Sequence, residues 1–225
     1  MEIDDFSTKK IWKKAITLIR ESGDRFMDND GRVCIEVTNL ILKIKNAEAT
    51  DIEGPIDLVS SQKKWIYPSK DELAGIMFKS FQNPAYEYTY GGRIFSFNEE
   101  VDQINDFILP LLSKDPHSRR AILVLYDPSK DSDVENKNTP GIIYIQFRIL
   151  EGKLNVSCHI RSNDLFFGWP ANIYQVYCLQ GYVAEKLKLI KGDLVTISNS
   201  AHIFEEDVEY IDELLRMIQI GRAHV

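Results

Sequence analysis

Hydrophobic residues recur along the chain at two spacings, one typical of helices and the other of strands. Recurrence at every third or fourth position predicts amphipathic helices, while alternation or a short apolar run predicts strands. Helices are predicted at residues 11–21, 71–81, 97–112, 172–189 and 206–217. Strands are predicted at residues 32–44, 121–126, 141–150, 153–162 and 194–198. Because these elements intermix without strict strand–helix–strand alternation, the pattern favours an α+β fold over a doubly wound sheet.

Turn-forming residues divide these elements. Glu151 and Gly152 predict a hairpin between two of the strands, and Pro110 predicts the end or a kink of the helix that contains it. Lys191 and Gly192 predict the end of the long helix. Polar or glycine-bearing stretches are expected to be loops or irregular segments, at 22–31, 46–70, 83–93 and 127–138.

No shift in composition marks a domain boundary, so a single domain is predicted over residues 1–219. The last six residues, 220–225, resemble the translation of a sequencing adapter more than evolved protein. They are predicted to be a non-native tail, which is excluded from reasoning about the fold.

Composition and charge narrow the class of protein. Of the 225 residues, 44% are hydrophobic and 27% are charged, as in globular proteins, and the net charge of −7 argues against non-specific nucleic-acid binding. No apolar run approaches the ~18–20 residues of a membrane span, and the acidic start is unlike a signal peptide. Three cysteines without CxxC spacing fit a reducing compartment, which predicts a soluble cytoplasmic protein; they are Cys34, Cys158 and Cys178.

Two polar clusters beside predicted strands could bind an anion or a small polar ligand. Arg119 and Arg120 precede the strand at 121–126, and adjacent guanidinium groups suit a phosphate. The alternative is that they are two solvated charges. The second cluster, residues 161–164, ends a strand and precedes an apolar turn, a combination typical of ligand pockets. Its alternative is a turn capped by Asn or Asp side chains.

Two further side chains carry weaker indications. Asn172 lies near the predicted start of the long helix, where it could cap the helix or use its amide to contact the edge of a base. His202 follows a predicted strand, and a lone histidine is more often structural than catalytic. The histidines and cysteines lack metal-ligand spacing, so no metal site is predicted.

Four segments together resemble the thymidylate synthase family. RSNDLFFGWPANIY (161–174) and GDLVTISNSAHIF (192–204) are similar to the family's two ligand-binding motifs, and their wording resembles the archaeal and pyrimidine-nucleotide hydroxymethylase branch. DPHSRRAIL (115–123) is similar to its double-arginine segment, and TPGIIYIQFRILEGKLNVSCHI (139–160) to its central hairpin. The resemblance covers residues 101–204, and extends upstream only to three weaker points: Asp24-Arg25, Glu72 and Tyr90-Gly91.

The resemblance implies a large mixed sheet with flanking helices, in a homodimer whose sheets pack back to back. It also implies a pyrimidine nucleoside monophosphate as ligand, with methylenetetrahydrofolate as the one-carbon donor. The phosphate would be held by Arg25, Arg161 and Ser162, and by Arg119 and Arg120 of the other subunit. Neighbouring Asn163 would belong to the same nucleotide site.

The other roles that the resemblance implies concern the base and the sugar. Asn172 would contact the pyrimidine edge, His202 would contact the sugar hydroxyl, and Asp164 would lie near the folate and the base. In the family's reaction a cysteine thiolate adds to C6 of the pyrimidine, which makes C5 a nucleophile for the methylene group.

The sequence departs from the family at the nucleophile itself. Alignment on Gln146 and Phe147 places Gly141 where the family has cysteine, and glycine cannot add to C6. The family's sugar-binding tyrosine is Phe204 here. Strand alternation predicts that Cys158 faces away from Arg161, and the remaining cysteines stand in no motif. The residues left as candidates for an activating role are Glu72, His159 and Asp164.

Three hypotheses follow from this departure. The protein could bind a pyrimidine nucleotide without the family's cysteine-dependent reaction. It could be an active C5-transferase, or another nucleotide-modifying enzyme, that uses a different activating group. It could also be a relic that binds nothing, but the retained arginines and Asn172 argue against that. Because covalent activation is not replaced by binding alone, we favour the first hypothesis.

Overall fold

A mixed β-sheet organises the chain in the computed structural model, which describes residues 1–49, 51–62, 66–79, 89–136 and 138–220. Its strands are β1 (Glu2–Asp5), β2 (Asp24–Met27), β3 (Val33–Ile44), β4 (Ile122–Val124), β5 (Ile142–Leu150), β6 (Lys153–Asp164) and β7 (Ile190–Phe204). The α-helices are α1 (Thr8–Ser22), α2 (Gly54–Ser61), α3 (Lys70–Phe78), α4 (Tyr90–Phe95), α5 (Leu109–Lys114), α6 (Pro128–Asp131), α7 (Gly168–Leu187) and α8 (Val208–Ile220). Helices and strands thus mix as an α+β fold, and that prediction is confirmed.

The strand order is β1-β3-β7-β6-β5-β4, and β2 also pairs with β3. The β5–β6 hairpin is confirmed, because Glu151 (φ 51°) and Gly152 (φ 73°) form the tight turn between them. β6 and β7 run parallel, with α7 as the connection between them, whereas β3 is antiparallel to β7. Parallel pairing brings the carboxyl ends of β6 and β7 to the same edge of the sheet.

One face of the sheet is covered by α1 and α7, and the main core lies between these helices and the sheet. α1 begins after Ser7, whose hydroxyl accepts a hydrogen bond from Lys10 N, and its apolar stripe is fully buried. Trp12 in that stripe donates its indole N–H to Leu165 O, and its ring is stacked on Phe166. Trp169 donates to Thr196 Oγ1 at 3.1 Å, which fixes the start of α7 on β7. The two tryptophans therefore hold the turn after β6.

The predictions of loops between 22 and 93 are wrong in three places. β2 lies within 22–31, where exposure of all four residues leaves no apolar pattern. α2 lies within 46–70, where Gly54 and Pro55 indicated a turn but occupy the first helical turn, which tolerates proline. α4 begins at Tyr90, inside a segment predicted to be irregular; residues 83–88 of that segment lie outside the described residues.

Several predicted boundaries also move. The helix predicted at 97–112 begins only at Gln103, as a wide π-helical segment (Gln103–Ile108), and Pro110 lies in the first turn of α5 rather than at its end. The strand predicted at 121–126 shrinks to β4, an edge strand, with Ile122 and Val124 exposed. The charged stretch 127–138 contains the short helix α6.

The long helix begins four residues before its predicted start and ends at Lys188, which adopts the left-handed conformation (φ 57°). Lys191 and Gly192 do not end this helix; they lie within β7, which continues to Phe204. No helix among the described residues is both long and apolar enough to span a membrane. Of the predicted tail 220–225, residues 221–225 lie outside the described part of the chain.

Candidate functional site

The two motif segments meet at the carboxyl ends of β6 and β7. Their parallel register places Ser162 beside Ser200 and Asp164 beside His202. Leu165 N then donates to His202 O at 2.8 Å, which continues the pairing past the end of β6. Segments that are some forty positions apart in the sequence (161–164 and 198–202) therefore form one polar surface at this edge of the sheet.

Asp164 caps the turn that leads into α7. Its Oδ1 accepts hydrogen bonds from Phe166 N (2.9 Å) and Phe167 N (3.1 Å). This is the capping alternative considered for residues 161–164, and it leaves Oδ2 for a ligand. Burial raises the pKa of the Asp164 carboxyl to about 6, against the lowering effect of the two N–H groups.

Asn163 and Asn172 form a short amide relay with Ser198. Asn163 is buried and donates through Nδ2 to Ser198 Oγ at 2.9 Å. Asn172 Nδ2 donates to Asn163 Oδ1 over a longer distance of 3.5 Å. Asn172 lies inside α7, which begins at Gly168, so the alternative that it caps this helix is wrong. Its half-buried amide is held from β6 instead.

Arg161 is tied to the segment that contains the nucleophile position. Its Nε donates to Pro140 O at 2.9 Å and its NH2 group to Thr139 O at 2.7 Å, while Arg161 N donates to Gly141 O. A Cβ at Gly141 would meet Ser162 O at 3.6 Å and the Tyr90 hydroxyl at 3.7 Å, which are ordinary van der Waals distances. The position therefore has space for a side chain beside an arginine.

His202 lies in β7 with its ring edge towards Phe204 (5.2 Å between ring centroids). Its Nδ1 is 3.4 Å from Ser200 Oγ. Burial lowers the pKa of His202, so the ring is neutral at pH 7. The neutral imidazole can donate from one nitrogen and accept at the other, which suits a neutral hydroxyl partner.

The β2–β3 hairpin covers the same edge with two arginines. Arg25 Nε is 3.1 Å from Glu205 Oε1, and Arg32 pairs with Glu206 while its guanidinium lies over the Phe204 ring. Sequence reasoning named Arg25 but missed Arg32, because the loop that carries Arg32 has no motif. The sequence indicated this part of the site only through Phe204, which stands where the family has its sugar-binding tyrosine.

Three of the other predicted site residues lie away from the carboxyl ends of β6 and β7. Arg119 and Arg120 are exposed and form no ion pair with a described residue. Gln146 donates to Arg119 O at 2.9 Å, so Arg119 lies beside the middle of β5, about 17 Å along the strand from Gly141. Glu72 is exposed in a capping box with Ser69 at the start of α3, and its pKa is lowered by the Ser69 N–H and hydroxyl.

His159 lies on the open face of the sheet, which is the face opposite to the core under α1 and α7, and not at the carboxyl edge of the strands. Its ring is stacked on Tyr144, and its Nε2 is 2.7 Å from Asn199 Oδ1. Its Nδ1 is buried without a partner among the described residues. His159 and Glu72 are therefore engaged away from the carboxyl ends of β6 and β7, and of the three activating candidates only Asp164 lies there.

The cysteines do not replace the missing thiol. Cys158 is fully buried in the core, facing away from Arg161 as strand alternation predicts, and burial raises its thiol pKa far above the ordinary range. Burial also raises the thiol pKa of Cys34 on β3 and of Cys178 on α7. No described group of three or more His, Cys, Asp and Glu residues could hold a metal ion.

Comparison with known proteins finds a family whose match includes the strands of this site. The family described as thymidylate synthase matches residues 72–221, which include β5, β6, α7 and β7. The chain belongs to the thymidylate synthase family. This confirms the family resemblance seen in the motifs. Arg25 lies upstream of the matched residues, so the match does not include it.

Individual relatives match over almost the whole chain. Proteins named "Putative thymidylate synthase" from Methanosarcina barkeri and Methanosarcina acetivorans are each 30% identical to it. Those matches cover 91% and 92% of this chain and 90% and 91% of the relatives. A protein of the same name from Methanothermobacter thermautotrophicus is 27% identical over 212 residues. Because each match leaves out only about a tenth of the chain, the similarity extends upstream of the matched family segment and includes β2 and β3.

Proposed function

We propose that this member of the thymidylate synthase family binds a pyrimidine nucleoside monophosphate but does not perform the cysteine-dependent C5 transfer. The observation that carries the proposal is Gly141, which stands directly beside Arg161 without a side chain. An anion held by Arg161 would lie next to that position, where the reaction requires a thiolate. The three cysteines of the chain are buried or half-buried and have raised pKa values, so none supplies it.

The nucleotide would lie along the edge formed by β6, β7 and the start of α7. Arg161 and Ser162 would hold the phosphate, since the guanidinium has donors left beyond its two bonds to backbone carbonyls. Asn172 and Asn163 would lie at the base, and His202 would contact the sugar hydroxyl. Arg25 would reach the phosphate only by exchanging its exposed contact with Glu205.

A second copy of the chain would complete this site. Arg119 and Arg120 stand directly before the edge strand β4, two strands away from β6, which carries Arg161. The open face of the sheet between these arginines and Arg161 carries His159 Nδ1 and Arg148 Nε, both buried without a described partner. Ile122 and Val124 are exposed beside them. A homodimer with sheets back to back would cover this face and bring the arginines of one copy to the nucleotide of the other.

Methylenetetrahydrofolate fits this arrangement as a co-substrate only in part. Asp164 is the acidic group at the site, but its Oδ1 already accepts two backbone N–H groups, so Oδ2 alone is left for the amide and amino groups of a pterin ring. A bound folate would therefore lie beside Asp164.

A second candidate function rests on Asp164. Its carboxyl, with a pKa of about 6, can exchange protons near neutral pH and could serve another reaction on the bound nucleotide. A carboxyl group is a poorer nucleophile than a thiolate for addition to C6, so we do not expect C5 transfer from it.

Calorimetry and an isotope assay separate these functions. We expect the protein to bind at least one of dUMP, dCMP, UMP and CMP, and to release no tritium from the C5-labelled nucleotide, with or without methylenetetrahydrofolate. Folate-dependent release would contradict the loss of C5 transfer and support an alternative activating residue. Failure of all four nucleotides to bind would contradict the proposed binding function.

Sedimentation at rising protein concentration tests the second copy. We expect a dimer, and we expect Arg120→Ala to weaken nucleotide binding in that dimer although Arg120 is remote from Arg161 within one chain. A protein that stays monomeric, yet binds nucleotide as tightly with alanine at position 120, would contradict the shared site.

A further inference from the structure

The outer edge of β4 has backbone groups that point away from the sheet. Leu125 N donates to Ile143 O at 2.8 Å, so position 125 turns its backbone groups towards β5. Because successive residues of a strand alternate in this respect, Ile122 and Val124 direct their N–H and C=O groups to the other side, where the described residues form no further strand. An edge of this kind is a template on which another chain can pair.

The side chain of Gln103 occupies the outward groups of Val124. Its Oε1 accepts a hydrogen bond from Val124 N at 2.9 Å, and its Nε2 donates to Val124 O at 2.8 Å. An amide side chain carries the same donor and acceptor as a peptide group, so Gln103 takes the place of a neighbouring strand. Ile122 N donates to Arg120 O at 2.8 Å, so the outward N–H groups of both residues are already bonded.

Gln103 is held in this position from two sides. Asp102 Oδ1 accepts hydrogen bonds from Ile104 N at 3.1 Å and Asn105 N at 2.8 Å, which begins the π-helical segment that carries Gln103. Gln103 Nε2 also donates to Arg93 O on α4, at 2.8 Å. The amide therefore has a single favourable orientation, because a flip would set its oxygen against two carbonyl oxygens.

The segment behind this edge has a composition that favours pairing with itself. AILVLY (121–126) contains only apolar residues and tyrosine, without charge, proline or glycine. Segments of this length and composition are typical of strands that stack on identical strands. Ile122 and Val124 are 39% and 40% exposed, so side chains that would pack against an added strand already lie at the surface. A second copy of the same segment therefore fits this edge.

We propose that Gln103 is a latch, a side chain that prevents the outer edge of β4 from pairing with the same edge of a second copy of the chain. Pairing of two such edges would join two sheets into one, in competition with the back-to-back dimer. Opening the edge requires the loss of both hydrogen bonds between Gln103 and Val124. The latch is independent of nucleotide binding.

Sedimentation over a range of protein concentrations tests the latch. Gln103→Ala removes both bonds to Val124 and should produce species larger than those of the wild type. These species should appear at a concentration at least about tenfold lower, the effect expected for the loss of one or two net hydrogen bonds. Addition of Ile122→Lys places a charge on the opened edge and should abolish them, because charged side chains protect natural sheet edges.

A matched control separates the latch from a general loss of side-chain bonds. Gln146 also donates to a backbone carbonyl, that of Arg119, but it lies on β5, so Gln146→Ala should leave the edge closed and the species unchanged. Urea unfolding identifies the variants that fold. If Gln103→Ala does not fold, Gln103→Glu keeps an acceptor for Val124 N but removes both donors, and it should also produce the larger species.

Each outcome supports or overturns the latch. A folded Gln103→Ala variant with the same species as the wild type at every concentration overturns it. Larger species that persist in Gln103→Ala/Ile122→Lys, or that appear equally in Gln146→Ala, also overturn it, because their contact then lies away from this edge. Larger species that form in Gln103→Ala and disappear with Ile122→Lys support it. The proposed nucleotide binding stands or fails separately, in the calorimetric titration.

Discussion

The carboxyl ends of β6 and β7 and the β2–β3 hairpin both bring polar side chains to the candidate site, but they hold them in opposite ways. At the strand ends Asn163 is buried and bonded to the Ser198 hydroxyl, and the half-buried Asp164 accepts two backbone N–H groups. On the hairpin, the exposed Arg25 and the half-exposed Arg32 each pair with an exposed glutamate. Buried networks keep one geometry, whereas exposed ion pairs exchange partners at little cost.

This difference indicates where function is built into the fold and where it is adjustable. The strand-end groups are ordered before any ligand arrives, so their substitution should change binding or chemistry strongly. The hairpin pairs contribute about 0–1 kcal/mol each, because both partners are solvated. The following predictions test that contrast, beginning with the largest expected effect.

Gly141→Cys should produce the largest effect, the appearance of C5 chemistry. The new side chain meets only ordinary contacts at 3.6 and 3.7 Å, so the fold should tolerate it. The neighbouring Arg161 guanidinium should lower the pKa of the new thiol and favour the thiolate. We expect folate-dependent tritium release from C5-labelled nucleotide in this variant. Gly141→Ser is the control of similar size without a thiol. A Gly141→Cys variant that binds nucleotide but releases no tritium would show that more than the nucleophile has been lost.

Arg161→Ala should weaken nucleotide binding by about 1.5–3 kcal/mol, the range of a hydrogen bond to a charged group. The loss combines the phosphate contact with the release of the 139–141 segment that Arg161 holds through two carbonyl groups. Calorimetry with the tightest-binding nucleotide measures it. Arg20→Ala, which removes an exposed arginine of α1 paired with Asp212, should leave affinity unchanged. Equal affinity in Arg161→Ala would reject the phosphate role.

These two predictions depend on residues that the sequence identified, and the reason is physical. Residues 161–164 and 198–202 end strands with strong apolar alternation, so their location near an edge of a sheet follows from local pattern. The ends of the two strands lie together because β6 and β7 pair in parallel. This pairing joins segments that are distant in the sequence, so no local pattern predicts it. The relay from Ser198 through Asn163 to Asn172 could not be predicted for the same reason.

The errors in the fold have equally local causes. The helical spacing of apolar residues becomes clear only at Asn172, so the sequence makes this residue a candidate helix cap. α7 begins earlier, at Gly168, because the Asp164 carboxylate caps the preceding turn and Trp169 is anchored on β7. β2 has four exposed residues and no apolar face, and α2 begins with residues that usually indicate turns. Arg119 and Arg120 stand at the predicted place along the chain, but their distance from Arg161 depends on the order of strands in the sheet.

A smaller effect is expected from pH at the strand ends. Because the folded pKa of Asp164 is raised to about 6 from the ordinary value of 3.8, the folded state holds this proton more tightly than the unfolded chain. Its contribution to stability is therefore present below pH 3.8 and is lost as the pH rises through 6, by at most about 1.4 kcal/mol per pH unit. Asp164→Asn keeps the oxygen that caps the turn but does not ionise. Urea unfolding from pH 4 to 8 should show the variant gaining on the wild type as pH rises, and a constant difference would contradict the buried proton.

The smallest effect is expected on the hairpin. Glu205 holds Arg25 through an exposed contact of 3.1 Å, and a phosphate would have to compete with it. Glu205→Gln removes the competing charge, so nucleotide affinity should rise, but by less than about fivefold because exposed pairs are worth at most about 1 kcal/mol. The gain should decrease as salt is added, since the charges are solvated. The double variant Arg25→Ala/Glu205→Gln should lose the gain entirely, because the gain acts through Arg25 alone. A gain that survives in the double variant would mean that Glu205 repels the phosphate directly, and the hairpin would then have no part in binding.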